Sequence, residues 1–403
     1  MRSLPTLCAA LLLPTLAVAN GVAPQISYGP RPAYLIDKLP EGELKSTLQA
    51  CAAQTPKASD FSIGHRGAPL LFPEHTVESN VAAARMGAGI LECDVTFTKD
   101  HELVCRHAQN DLHTTTDILT SDLADTCVVP FSPAEGDAEA QAECRTSELT
   151  LAQFRTLTPK MDSADKTAKT PDDYQGGVAG WRTTLFADDA KTMTHAESIA
   201  LFRDLGAKFT PELKSPSVEM PFEGFSQQDY AQKLIDEYKA AGVPASDVWA
   251  QSFNLEDVLY WIDAEPEFGK QAVFLDASYD IEGFDPNDPS TFPHDFKDLH
   301  AKGVNYIAPP MWMLVTVEDG EIVPSVWAKQ AKDAGLKLIT WTLERSGPLK
   351  SGGGWYFQSI SDVTNDDSMY YQLLHVLAQD VEVEGVFSDW PATVTYYANC
   401  MGL

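Results

Sequence analysis

Two histidines, three carboxylates, an arginine and a lysine stand in or just after short apolar runs of this sequence. "FSIGHRG" (61–67) closes such a run on His65, Arg66 and Gly67, and "ILECDVT" (90–96) carries Glu92 and Asp94. "ELVCRHA" (102–108) leads to His107, and "TPELK" (210–214) carries Glu212 and Lys214. Residues two apart on a strand point the same way, so Glu92 and Asp94 share a face, as do Glu212 and Lys214. Two neighbouring carboxylates repel and are costly to bury without a cation. With Glu212 they make a hard oxygen set suited to a divalent metal ion, Ca²⁺ or Mg²⁺. Arg66 and Lys214 supply the local positive charge that a phosphate needs. Against a phosphodiester held there, one neutral histidine can take the proton of the attacking oxygen while the other, as imidazolium, protonates the leaving alkoxide. Gly67 lets the backbone turn close beside that chemistry.

Taken singly, each residue has a plainer reading. A histidine at a strand end is commonly a satisfied polar group, an acid after a strand commonly caps the next helix, and Lys214 before Ser215-Pro216 could be a solvated loop charge. The combination on one face is what points to phosphoryl chemistry.

The elements that must position these residues follow from the apolar pattern. Strands are predicted over 61–65, 90–96, 102–106, 208–213, 247–252, 272–275, 304–308, 336–341 and 385–388. Between most of them apolar residues recur at helical spacing, as at Tyr230, Leu234, Ile235 and Tyr238, or Val326, Ala328, Ala331 and Ala334. Such alternation predicts a parallel sheet, either doubly wound or closed as an eight-stranded barrel. Too few residues separate 90–97 from 102–107 for a parallel crossover, so this pair must be a hairpin, and eight parallel strands remain. The expected fold is an α/β TIM-type (β/α)8 barrel with a hairpin and a long insertion after its second strand. With the turn centred near Lys99, facing residues would sum to 198, setting Cys93 against Cys105 and bringing His107 to the level of Glu92. In a parallel barrel the reacting groups lie at the carboxyl ends of the strands, where all of these residues would meet.

Two stretches break the alternation. Residues 117–182 read as an insertion of loops and short helices above one strand. Residues 345–367 hold "GGGWYF" (352–357), either a plain surface loop or a lid in which Trp355, Tyr356 or Phe357 closes on substrate. The glycine run is not a phosphate-cradling loop, since no Lys-Ser/Thr follows it.

Residues 1–19 have the basic start, apolar centre and Ala17-Val18-Ala19 end of a secretory signal peptide, which puts the mature start near Asn20, an N-terminal arm over 20–60 and the barrel over 61–403. Export is therefore expected, to periplasm or medium. No other stretch is long and apolar enough to span a membrane. Loss of Arg2 takes the formal charge from -29 to -30, which argues against nucleic acid and anionic bilayers as partners. Six cysteines remain, and an even count in an exported chain favours disulfides, with Cys93–Cys105, Cys127–Cys144 and Cys51–Cys400 the expected set. There is no Asn-x-Ser/Thr acceptor and no signal for oligomeric state.

"HRG", "PEHT", "LECDVTFTKDHELVCRHA", "TPELK", "QSF", "ITWTLE" and "GVFSDWP", in that order across 61–395, resemble the glycerophosphodiester phosphodiesterase family. The resemblance implies a TIM-type barrel, a divalent metal and hydrolysis of glycerophosphodiesters to glycerol 3-phosphate and an alcohol. It implies His65 and His107 as the acid/base pair, Glu92, Asp94 and Glu212 as metal ligands, and Arg66 and Lys214 as phosphate ligands. Phe253 and Trp341 would wall the substrate pocket, unless they are simply core. Three positions depart from the family pattern: His75 replaces an asparagine, Ala108 replaces the aspartate after the second histidine with Asp111 as its stand-in, and Glu344 replaces an asparagine after "WT". Phospholipase C- or D-like phosphodiesterases share this plan but need an apolar, membrane-seeking rim. A glycosidase reading would leave the histidines and cations idle. A non-catalytic secreted binder is opposed by the complete set of acid/base and metal positions.

Overall fold

A computed structural model describes residues 25–403; the signal-peptide reading and the start near Asn20 lie outside them. The strands are β1 (Ser59–Gly64), β2 (Ala88–Phe97), β3 (Lys208–Leu213), β4 (Gln251–Ser252), β5 (Val273–Leu275), β6 (Tyr306–Ala308), β7 (Lys337–Leu343) and β8 (Gly385–Ser388). They pair in parallel from each to the next, and β8 returns to β1 through Ser62↔Val386 and Ile63↔Phe387, which closes an eight-stranded barrel. Ile63, Ile90, Val273, Leu275, Tyr306, Ala308, Ile339 and Phe387 fill its interior. The outer layer buries the helical stripes, including Tyr230, Leu234, Ile235 and Tyr238 of the helix Gln227–Ala240. That helix opens on a capping box from Ser226 to Asp229, and the helix His195–Leu205 opens on one from Thr194 to Glu197.

The strand Leu103–Cys105 returns antiparallel on the upper half of β2, with Val95↔Cys105, Thr96↔Val104 and Phe97↔Leu103. Facing residues therefore sum to 200, which corrects the expected register by two. The turn over Thr98–His101 is looser than assumed, with Thr98 N–H bonded to the carbonyl of Glu102 at 3.0 Å and His101 in a left-handed conformation, φ 61°. Cys93 and Cys105 still bridge, with Cα atoms 5.2 Å apart.

The insertion has its own small core, in which Leu112, Ile118, Leu149, Phe154 and Tyr174 are buried. It contains an unanticipated hairpin, Val129–Ser132 against Gln141–Glu143, tied by Cys127–Cys144. A second unanticipated hairpin, Val315–Glu318 with Glu321–Pro324, follows β6.

The N-terminal helices Arg31–Lys38 and Glu43–Ala50 pack on the C-terminal helix Pro391–Met401, and Cys51–Cys400 joins the two ends across 349 residues. Closing so long a loop restricts the unfolded chain strongly. The double variant Cys51→Ser/Cys400→Ser is expected to lose about 2–4 kcal/mol of stability, read as a lower urea midpoint. An unchanged midpoint would show that helix packing alone fastens the arm.

Candidate active site

Where β1 ends, the chain turns back sharply. Arg66 and His75 both hold left-handed backbones, φ 56° and 55°. Gly67 follows at φ 90°, where a Cβ would overlap Ser79. The turn aims the Arg66 N–H at Glu92 Oε2, 2.7 Å away, and the guanidinium at Glu74, 2.8 Å, and Asp94, 3.7 Å. Thr76 caps the helix Val77–Arg85, so the loop between carries Glu74 to Arg66 and His75 to Asp94, with Nε2 2.9 Å from Oδ2. His75 thus stands directly behind one of the three barrel carboxylates.

Ile90, Glu92 and Asp94 alternate inward along β2. Parallel pairing sets Asp94 beside Glu212 and Glu212 beside Gln251, so Glu92, Asp94 and Glu212 each bring a carboxylate oxygen within 4.8 Å of the others. All three are buried. Burial and then the neighbouring charges of Asp94 and Glu212 drive the Glu92 carboxyl well above its usual range. Burial likewise pushes Glu212 up to about 7, against the pull of Lys214. Burial works against the Asp94 carboxylate too, but His75, Lys214 and Arg66 outweigh it and hold Asp94 well below the usual range. Asp94 Oδ1 and Gln251 Oε1 are buried without a hydrogen-bond partner, while Gln251 Nε2 donates to Glu92 at 3.1 Å. Orphaned oxygens among crowded carboxylates are what a hard divalent cation would satisfy, so the donor set fits one.

His65 begins the loop after β1, and its Nδ1 lies 2.6 Å from Asp389, the residue after β8. Burial, reinforced by Arg66, holds His65 down to about 4. The Arg345 guanidinium spans Asp389, 3.0 Å, and Asp162 of the insertion, 3.4 Å. His107 sits between the Glu74 and Asp111 carboxylates, with ligating atoms of all three within 4.8 Å. Burial and then Arg66 and Lys214 keep its imidazole well below the usual range. Asp111 Oδ2 accepts the Ala108 N–H at 3.0 Å, so a tight turn returns to His107 the carboxylate that the Ala108 position lacks. Lys214 is ion-paired to Glu212 at 2.6 Å, with its ammonium 5.9 Å from the Phe253 ring centre.

These groups enclose a cavity of about 350 Å³. His65, Arg66, Glu92, His107, Glu212 and Lys214 line one side, with Asp94 beneath; Phe253, Trp341, Tyr279 and Tyr356 form the other. Phe253 and Trp341 are wall residues, their ring centres 6.0 Å apart.

Arg345, Gln251 and Tyr279, which line the cavity, and Asp389, which holds His65, were not singled out from the sequence. Asp389 and Gln251 lie at strand ends inside recognised motifs, so the same strand-end rule would have found them. Tyr279, on a short turn after β5, carried no local signal.

One expectation is corrected. Phe357 is buried and packs on Tyr370, 5.6 Å between ring centres, because left-handed Gly352, Gly353 and Gly354 (φ 96°, 74° and 61°) turn it inward. Glu344 faces away from the cavity, held by Arg31 at 2.5 Å and by the Thr393 hydroxyl at 2.5 Å, so this carboxylate fastens the N-terminal arm to the barrel. The mouth also has an apolar rim: Leu185 is 83% exposed, with Trp181 against Gly347 and Phe186 stacked on Phe72.

A closed parallel barrel whose carboxyl-terminal mouth brings together a carboxylate trio, two histidines and two cations is built as a phosphodiester hydrolase. The model of the glycerophosphoryl diester phosphodiesterase family matches residues 65–393. The chain belongs to that family and is an enzyme of its class. An Arthroderma benhamiae protein named "Extracellular protein" is 41% identical over 249 residues, covering 60% of this chain and all of that one. Among solved structures, a glycerophosphoryl diester phosphodiesterase family protein of Silicibacter pomeroyi is similar at TM-score 0.56 and 17% identity, over 89% of this chain and 98% of its own. One from Agrobacterium tumefaciens has TM-score 0.50 at 17% identity, over 84% and 98%. At these identities the structural likeness concerns the barrel fold.

Proposed function

We propose that the protein is an exported, metal-dependent glycerophosphodiester phosphodiesterase that releases glycerol 3-phosphate and an alcohol. The observation that carries this is the convergence of Glu92, Asp94, Glu212, His65, His107, Arg66 and Lys214 on one cavity of about 350 Å³. Glu92, Asp94 and Glu212 would hold Ca²⁺ or Mg²⁺, which when bound polarises a phosphoryl oxygen and offsets its charge. Arg66 and Lys214 orient the phosphate. With Asp389 accepting from Nδ1–H, the lone pair on His65 Nε2 is free to take the proton of the attacking hydroxyl. His107, which Glu74 and Asp94 pull toward the protonated form against burial and the two cations, would take up a proton as the bound phosphate adds its own negative charge, and would then pass that proton to the leaving alkoxide. Phe253 and Trp341 wall off water beside the glycerol. Export is supported by the residue 1–19 pattern, the three disulfides and the extracellular relative.

The apolar rim favours a second reading, a lipid-borne phosphodiester, and the same assay tests both. Purified mature protein is expected to release glycerol 3-phosphate from glycerophosphocholine, to stop in excess chelator, and to leave lysophosphatidylcholine micelles intact. Turnover of the micelles alone would replace the first reading with the second; turnover indifferent to chelator would remove the metal from it.

A further inference from the structure

A second cavity, of about 810 Å³, opens between the barrel mouth and the insertion. It shares Arg66, His107 and Arg345 with the reacting pocket, but His65 lines only the smaller one. The two compartments therefore meet at His107, and a phosphate between the histidines would have one ester arm on each side. We propose that the larger compartment is the subsite for the leaving alcohol, and that the alcohol it takes is an uncharged polyol, a cyclitol or sugar. This rests on the phosphodiesterase reading above.

Orientation follows from the proton transfers. An in-line displacement places the attacking hydroxyl and the leaving oxygen on opposite faces of phosphorus. His65, oriented by Asp389 and confined to the smaller pocket, faces the attacking side; His107, at the junction, faces the leaving side. The glycerol that supplies the attacking hydroxyl then occupies the aromatic-walled pocket, and the alcohol projects beneath the insertion. A cavity of about 810 Å³ is far larger than an ethanolamine or a second glycerol requires.

The lining supplies the chemical class. Most of its charged groups are already paired: Glu74 with Arg66 at 2.8 Å, Asp162 with Arg182 at 2.5 Å and with Arg345, and Lys166 with Glu139 at 3.0 Å; the exception among the described residues is Asp111 at the His107 junction, where burial pushes the carboxyl up to about 7, and away from that junction the charges are spent. The groups left to meet a ligand are neutral, with His113, Thr114, Gln141, Ser163 and Tyr174 around the wall. Burial holds the His113 imidazole down to about 4, so at neutral pH the ring is uncharged; its Nδ1 is buried without a partner, which leaves Nε2 as the nitrogen that can meet a hydroxyl. The His113 and Tyr174 rings lie within 20° of parallel, with centres 6.3 Å apart, and because Tyr174 is 3% exposed it backs His113, whose face is the one left for the C–H face of a ring. A cationic alcohol would find no unpaired carboxylate among these five, the Asp111 carboxyl lying at the His107 junction instead.

The test compares kcat/KM for glycerophosphoinositol and glycerophosphoethanolamine in the wild type, His113→Ala and Ser163→Trp, the last placing an indole in the compartment. The wild type is expected to prefer the inositol ester, and each variant to reduce that preference roughly tenfold, the loss of one or two neutral hydrogen bonds. An unchanged ratio, including an equal fall for both esters, overturns the proposal, because glycerol is common to both and would then be the occupant. Chelator-sensitive turnover of both esters with no wild-type preference overturns the polyol assignment while leaving the phosphodiesterase reading intact. Turnover of neither ester by folded, metal-supplied enzyme overturns both. Retained cooperative unfolding in both variants keeps a folding defect from imitating the expected result.

Discussion

His107→Ala is expected to lower kcat by about 10²–10⁴-fold on natural glycerophosphodiesters, the range for a positioned proton donor or acceptor. The loss should depend on the leaving group. A natural alkoxide needs a proton as it departs, whereas 4-nitrophenolate does not, so a 4-nitrophenyl ester of glycerol phosphate should recover most of the rate in His107→Ala. His65→Ala should lose a comparable factor on both esters, since the attacking hydroxyl must shed its proton in either case. The pH profile separates the two histidines further. Burial holds His65 down to about 4, so it is neutral and competent as a base through neutrality, and kcat/KM should fall only as pH drops through that region and the imidazole becomes protonated. Equal recovery of both variants on the activated ester would overturn the division of labour. The Asp389 contact at 2.6 Å supports the assignment, because it occupies Nδ1 and directs Nε2 to the cavity.

The second large effect is expected at the carboxylates. Asp94→Ala removes an oxygen donor and exposes the orphaned position of His75, and it should weaken Ca²⁺ or Mg²⁺ binding by at least about 10²-fold in calorimetric titration, with turnover lost in parallel at limiting metal. His75→Ala leaves all three carboxylates in place and removes only the group that orients Asp94, so about 10–100-fold is expected from it. Metal should also stabilise the wild type more than either variant, because the cation offsets the burial and the carboxylate repulsion that together drive Glu92 well above the usual carboxylate range. Metal binding by Asp94→Ala as tight as that of the wild type would exclude Asp94 from the ligand set.

Much of the site was legible because the chemistry is written at strand ends. Alternation at Glu92/Asp94 and spacing at Glu212/Lys214 fixed which faces those residues share, and short apolar runs located the strands that carry them. The turn residues of the hairpin could not reveal its register, since two extra residues in the bend move every pair without altering the pattern; the Cys93–Cys105 bridge tolerates either register. Glu344 follows a recognised motif yet leaves the cavity, because its left-handed backbone, φ 66°, turns the side chain toward Arg31.

The sequence by itself determined the barrel class, the acidic charge and the inventory of reacting groups, because each depends on residue type and local spacing. Tertiary structure decided the partners: Asp389 behind His65, 324 positions away; His75 behind Asp94; Arg345 between Asp389 and Asp162; and the compartment that the insertion builds over His107. Those relations exist only when β8 closes on β1 and the insertion folds back over the mouth, and no local pattern encodes the distance between side chains so far apart in the chain.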